Sequence, residues 1–151
     1  MCQRRVALFV AVVLMVLCGV SAGQENVSAL IQKLKDKDAR VRRSTVAALG
    51  KLGPAAKEAI PALIAPLKDE DPNVRGGAAS ALGKIGPAAK EAVPALIDAL
   101  KDEYGYMRMN AARALGQIGP AAKEAIPALE AASGSEAMEA ASALKKIRGD
   151  D

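Results

Sequence analysis

The sequence has no histidine and no tryptophan, and one phenylalanine and two tyrosines make up its 2% of aromatic residues. Its two cysteines, Cys2 and Cys18, both stand near the start. Without histidine the commonest general base and metal ligand are missing, and with so few rings there is no stacking platform for single-stranded nucleic acid. A core has to be assembled from Ala, Leu, Ile and Val, which suits closely packed helix faces better than a sandwich built around large rings. Apolar residues are 51% of the 151, enough for one sizeable core in one domain.

The opening residues read as an address. Arg4 and Arg5 precede an uncharged apolar run from Val6 to Val20, and Ser21-Ala22-Gly23 follows with small side chains. This is the pattern of a secretory signal over 1–22, expected to be cut after Ala22 and to leave a domain over 23–151. The run is shorter than the roughly 20 residues of a spanning helix, which weighs against a retained anchor. A lipoprotein reading of Cys18 meets Leu17 where a small residue belongs. Both cysteines leave with the signal, so the expected mature chain, periplasmic or secreted, has no thiol for a disulfide, a nucleophile or a metal. Loss of Arg4 and Arg5 takes the net charge from +4 to +2, so the high pI argues poorly for nucleic acid.

What the chain has in abundance is repetition. The heptapeptide Gly86-Pro-Ala-Ala-Lys-Glu-Ala92 stands also at 53–59 and 119–125, a period of 33 residues, and such a period announces a stack of helical units. In the first unit, expected to begin near Gln24, Val27, Leu30, Ile31 and Leu34 mark one face of a helix A. Val41, Thr45, Ala48, Leu49 and Leu52 mark one face of a helix B. Both stripes recur 33 residues on, with Val74, Ala78, Ala81, Leu82 and Ile85 on the second helix B, and recur once more in unit three. Gly53 is placed to stop a helix and Pro54 to start the next segment. Pro61, Pro94 and Pro127 predict a short 3₁₀ or helical turn after each Gly-Pro, with helix A proper starting near Glu91 in unit three. Unit four is four residues shorter and carries Glu130 and Ser133 at apolar sites, as suits a terminal cap with water on one side.

A proline in helix A, an aspartate after it and Val-Arg early in helix B, as in Pro61, Asp69, Val74 and Arg75, resemble the HEAT repeat, in the short form found in phycobilisome lyases. The resemblance covers residues 25–148. It implies an all-α, right-handed α-solenoid of about four two-helix repeats, the last a shortened cap, with helix B on the concave side. It also implies that the aspartate and arginine stabilise the turns between and within repeats, matching Asp36 with Arg42, Asp69 with Arg75 and Asp102 with Arg108. Ala137 stands at the arginine site of unit four, where the ladder is expected to end.

No catalytic, cofactor or metal site is expected. The repeated carboxylates at the A-to-B turns suit helix N-termini, and Asp69-Glu70-Asp71 lacks the glycine and ligand spacing of a calcium loop. Lys-Glu pairs at 57–58, 90–91 and 123–124 read as a solvated face. Positions that vary on the outer side of helix B are the candidate protein-binding residues: Arg40, Arg43, Lys51, Lys84, Tyr106, Met109, Asn110, Arg113 and Gln117. Unit three stands out, since both tyrosines lie in Tyr104-Gly105-Tyr106-Met107-Arg108-Met109, and Tyr, Arg and Met are favoured contact residues. Gly76-Gly77, costly in a helix by roughly 1 kcal/mol each, reads as drift in an over-stable array rather than as room for a partner backbone. The expected function is an exported, non-enzymatic scaffold for a protein or peptide. The alternatives are a bilin lyase or lyase-chaperone-like subunit, as the resemblance permits, or a purely structural periplasmic repeat protein. A metal-dependent HEAT-like hydroxylase is excluded by the missing His-Glu motifs.

Overall fold

The structure is a computed structural model, and it describes residues 27–150. The expected signal and the start of the first helix near Gln24 lie outside the described residues. Helices α1 (27–33), α3 (Ile60–Ile64), α5 (Val93–Ala99) and α7 (Ile126–Glu130) are the A helices of four units. Their B partners are α2 (Ala39–Leu52), α4 (Pro72–Ile85), α6 (Gly105–Ile118) and α8 (Ala137–Arg148), and no strand occurs among the described residues.

The chain turns between units for reasons visible in its residues. Gly53, Gly86 and Gly119 end their B helices with φ of 54°, 80° and 71°, in the left-handed region that a side chain disfavours. From each of them a 3₁₀ segment runs on through the repeated heptapeptide, to Ala59, Ala92 and Ala125. Helix A then begins at Ile60, Val93 or Ile126, so the expected 3₁₀ turn runs two residues further and takes in Glu91 and Ala92. Pro61, Pro94 and Pro127 fall in the first turn of their helices, where a missing N–H breaks no bond. Helix α5 runs to Ala99, whereas α3 stops at Ile64 and tightens into 3₁₀ at Ala65–Lys68, because Pro66 stands where unit three has Ala99.

The helix B stripes of units two and three are buried as spaced. Val74, Ala78, Ala81, Leu82 and Ile85 are closed from solvent, and so are Met107, Ala111, Ala114, Leu115 and Ile118. Each fully buried Leu or Ile is worth about 1.5–3 kcal/mol, so aliphatic side chains alone supply a large driving force. Alanines of the heptapeptide, such as Ala89 and Ala92, are fully buried, and they let the 3₁₀ segments of neighbouring units stack.

Each B helix lies along the next, α2 on α4, α4 on α6 and α6 on α8. A glycine column makes that approach possible. A Cβ on Gly83 would stand 2.9 Å from Ala114 Cα, and one on Gly116 would stand 2.8 Å from Ala143 Cα, closer than carbon atoms pack. Gly50 faces Ala81 in the same register. The Gly76-Gly77 pair meets side chains and not a backbone. A Cβ on Gly77 would meet Val46 Cγ2 at 2.6 Å, and one on Gly76 would meet the Tyr106 ring at 2.6 Å.

Candidate functional site

The turns between A and B helices carry the first polar device. Arg42 donates from Nη1 to the carbonyls of Asp36 and Lys37 in its own turn, at 2.8 and 3.1 Å. Its Nε and Nη2 donate to Asp69 of the next unit at 2.7 and 2.9 Å. Arg75 repeats the pattern on the carbonyls of Asp69 and Glu70 and on the Asp102 carboxylate. The ladder thus acts both within and between units: each arginine takes backbone from its own turn, the carbonyl of its matched aspartate included, and, offset by one unit, a carboxylate from the following one, Asp69, Asp102 or Glu136. At the far end Arg108 meets Glu136 at 3.1 Å. Glu136 occupies the buried position that Val74 and Met107 hold in their units. Burial would raise its pKa, yet its own backbone N–H, Arg108 and Ser135 together hold it below the ordinary value.

The other repeated carboxylates cap helices. Asp38 accepts from the Arg40 N–H at 2.8 Å, and Asp71 accepts from the N–H groups of Asn73 and Val74 at 2.7 and 3.2 Å. The Asn73 N–H is the chief reason that Asp71 titrates below its ordinary range. Tyr104 stands in the same column and caps nothing. Its ring instead lies 5.3 Å from the Arg75 guanidinium, within cation–π range. Sequence reading noticed Tyr104 as a turn tyrosine and missed that a capping aspartate is what it replaces, although the column Asp38, Asp71, Tyr104 shows it.

The candidate protein-binding residues divide into four groups. Arg40, Arg43, Lys51, Lys84 and Gln117 are exposed on successive B helices. Tyr106 is 56% exposed with its ring over Gly76, and Met109, three residues on, is half-buried. Asn110 is turned inward: it is 4% exposed and its Nδ2 donates to the Tyr106 carbonyl at 2.8 Å, so it braces helix α6 rather than offering its amide to solvent. Arg113 is exposed but engaged, donating to Glu139 at 2.6 Å. That hydrogen bond raises the Arg113 pKa and lowers that of Glu139, with burial opposing both.

Two hollows lie nearby, the second of them bordered by Lys51 of this row. One of about 350 Å³ sits at the A-to-B turns and is lined by charges of both signs, Lys68, Asp69, Arg75, Lys101 and Asp102 among them. The other, of about 400 Å³, opens at the first unit between Ala29, Leu30, Lys33, Ala48, Lys51 and Leu52. Among the described residues no group of three His, Cys, Asp or Glu side chains is placed to hold a metal ion, and no helix is long and apolar enough to cross a membrane.

The fold has well-defined likenesses. A chain in the complex of CpcE and CpcF of phycocyanin lyase from Nostoc sp. PCC7120 superposes with a TM-score of 0.69 at 28% identity, over 80% of this chain and 53% of that one. An engineered protein matches at 25% identity with a TM-score of 0.64, over 81% and 62%. A designed armadillo repeat protein in complex with the peptide (KR)4 matches in fold, at 22% identity and a TM-score of 0.69, over 80% and 64%. The chain thus spans between about half and two thirds of the length of these structures. No curated protein matches it. The family model for HEAT repeats matches residues 27–90 and again 60–145, and with its units, first-turn prolines and inter-unit ladder in place the chain belongs to the HEAT-repeat family.

Proposed function

We propose that this protein is an exported, non-enzymatic module that binds a protein or peptide along its row of B helices. One observation carries the reading: both tyrosines, the whole aromatic content of the described residues, lie outside the core, at 48% and 56% exposure, on one short stretch of α6 and its N-cap. Large rings are the costliest side chains to leave in water and the commonest anchors of interfaces. Here one of them also replaces a helix cap. Arg40, Arg43, Lys51 and Lys84 add positive charge along the same row, which favours an acidic or extended partner segment. The likeness to a chain of the CpcE–CpcF complex supports a HEAT array that works beside another protein.

The test is capture from the exported fraction of the native cell, with the wild-type protein and a Tyr104→Ser/Tyr106→Ser variant as baits. Loss of a partner with the folded variant is the expected result. Equal recovery with both baits would remove the tyrosines from the binding surface.

The same likeness favours one second reading, a subunit of a bilin-attaching enzyme. A change in the absorption spectrum of free bilin on mixing with the protein would support it, and an unchanged spectrum would dismiss it.

A further inference from the structure

Among the described residues the first unit presents a repeat interface with no preceding unit against it. Leu52 is 40% exposed, while Ile85 and Ile118, which hold the same place in units two and three, are 2% and 0% exposed. Leu30 and Ala48 are half-buried where Leu63, Leu96, Ala81 and Ala114 are closed from solvent. In the later units these side chains are covered by the unit before. In the first unit they line the open groove of about 400 Å³.

The polar part of the interface is open as well. Asp69 and Asp102 each receive an arginine from the preceding unit, and Asp36 is the same residue of unit one. Among the described residues the Asp36 carboxylate accepts only the N–H of Asp38, at 2.8 Å, and no arginine side chain reaches it; Arg42 binds the Asp36 backbone carbonyl alone. An apolar groove and an unmet carboxylate therefore stand in the register that a preceding HEAT unit would fill.

The opposite end is closed. Lys145 replaces the glycine of the column Gly50, Gly83 and Gly116, and Ala137 replaces the ladder arginine. A long charged side chain where a neighbouring backbone has to approach excludes a second copy from stacking head to tail.

We propose that the face formed by Ala29, Leu30, Asp36, Ala48 and Leu52 docks the terminal helix pair of a different HEAT-type chain. That chain's B helix would carry a glycine against Ala48 and an arginine for Asp36, continuing the array in trans. The inference is independent of the tyrosine surface.

The probe is a variant of this chain that carries Leu52→Lys, so that it does not stack on itself, and in which residues 119–151 are replaced by a second copy of residues 86–118, which restores glycine and arginine at the exposed end. Sedimentation velocity of this variant with the wild-type protein, expressed with its leader and purified as processed, is expected to show a complex, whereas the wild-type protein alone stays monomeric. Leu52→Lys or Asp36→Lys in the wild-type partner is expected to weaken the complex roughly tenfold or more. A folded probe that does not bind, or binds equally to the Leu52→Lys partner, would overturn the proposal. A wild-type dimer dissolved by Leu52→Lys would assign the face to a second copy instead. Refusal of the probe only by protein retaining residues 1–26 would assign it to the leader. Should the probe not fold, capture from the exported fraction with wild-type and Leu52→Lys baits decides: loss of a HEAT-type chain supports the inference, and loss only of chains without such repeats rejects it.

Discussion

Arg42 holds Asp69 through two hydrogen bonds across the boundary between units one and two while its third nitrogen fastens the turn of its own unit. One guanidinium thus joins local structure to the stacking of units. The fork geometry of arginine makes this possible, since a lysine offers one compact charge and no fixed pair of donors.

At the next rung Arg75 is almost closed from solvent and paired with Asp102. Arg75→Ala strands a carboxylate and two turn carbonyls, and is expected to cost about 3 kcal/mol in urea denaturation. Arg75→Met with Asp102→Leu should cost clearly less than the two single changes added together, because no charge is then left unpaired.

Two glycines of α4 should respond in opposite senses to alanine. Gly83→Ala places a methyl against the Ala114 backbone and is expected to destabilise by about 1–3 kcal/mol despite the better helix former. Gly76→Ala meets the edge of an exposed tyrosine ring, which is free to turn aside. It is expected to be neutral or to stabilise by about 0.5–1 kcal/mol. Thermal unfolding of the two variants checks both signs.

Tyr104→Asp restores the cap that α2 and α4 have and α6 lacks. The expected gain is about 1 kcal/mol, seen as a higher Tm, with a loss of partner capture if Tyr104 serves the interface.

Acid should loosen the last unit through Glu136. Its folded pKa is depressed below 4.5, so its contribution is complete above the unfolded value and is lost as pH falls through the folded one. Urea midpoints are expected to be level above about pH 5.5 and to fall below about 4.5, with Glu136→Gln showing a shallower fall.

The stripes that place Leu82, Ile85, Leu115 and Ile118 in the core were legible in the sequence, because a 33-residue repeat displays the same helical face three times over. The glycine stops and first-turn prolines were legible for the same reason. The partner of each arginine was not. In a periodic chain Arg75 has an identical aspartate in its own unit and in the next, at Asp69 and Asp102, and spacing does not distinguish them. Gly83 was missed because its reason is the Cα of Ala114 in another helix, whereas locally a helix glycine registers only as a cost. Leu52 carries the apolar spacing of its counterparts but is exposed, since spacing identifies the apolar face without supplying the neighbour that covers it. Asn110 lies on the outer stripe by period, and its inward turn follows from a bond to the Tyr106 carbonyl one helical turn back.

The one-unit offset of the arginine ladder has a consequence for the growth of such a chain. Every middle unit gives a guanidinium forward and receives one from behind, so a duplicated copy of 53–85 inserted in tandem would complete both bonds with no new residue. Lengthening is chemically free in the interior and obstructed at the capped end. Arrays of different length can therefore arise from one another by whole units, with their terminal units left unaltered.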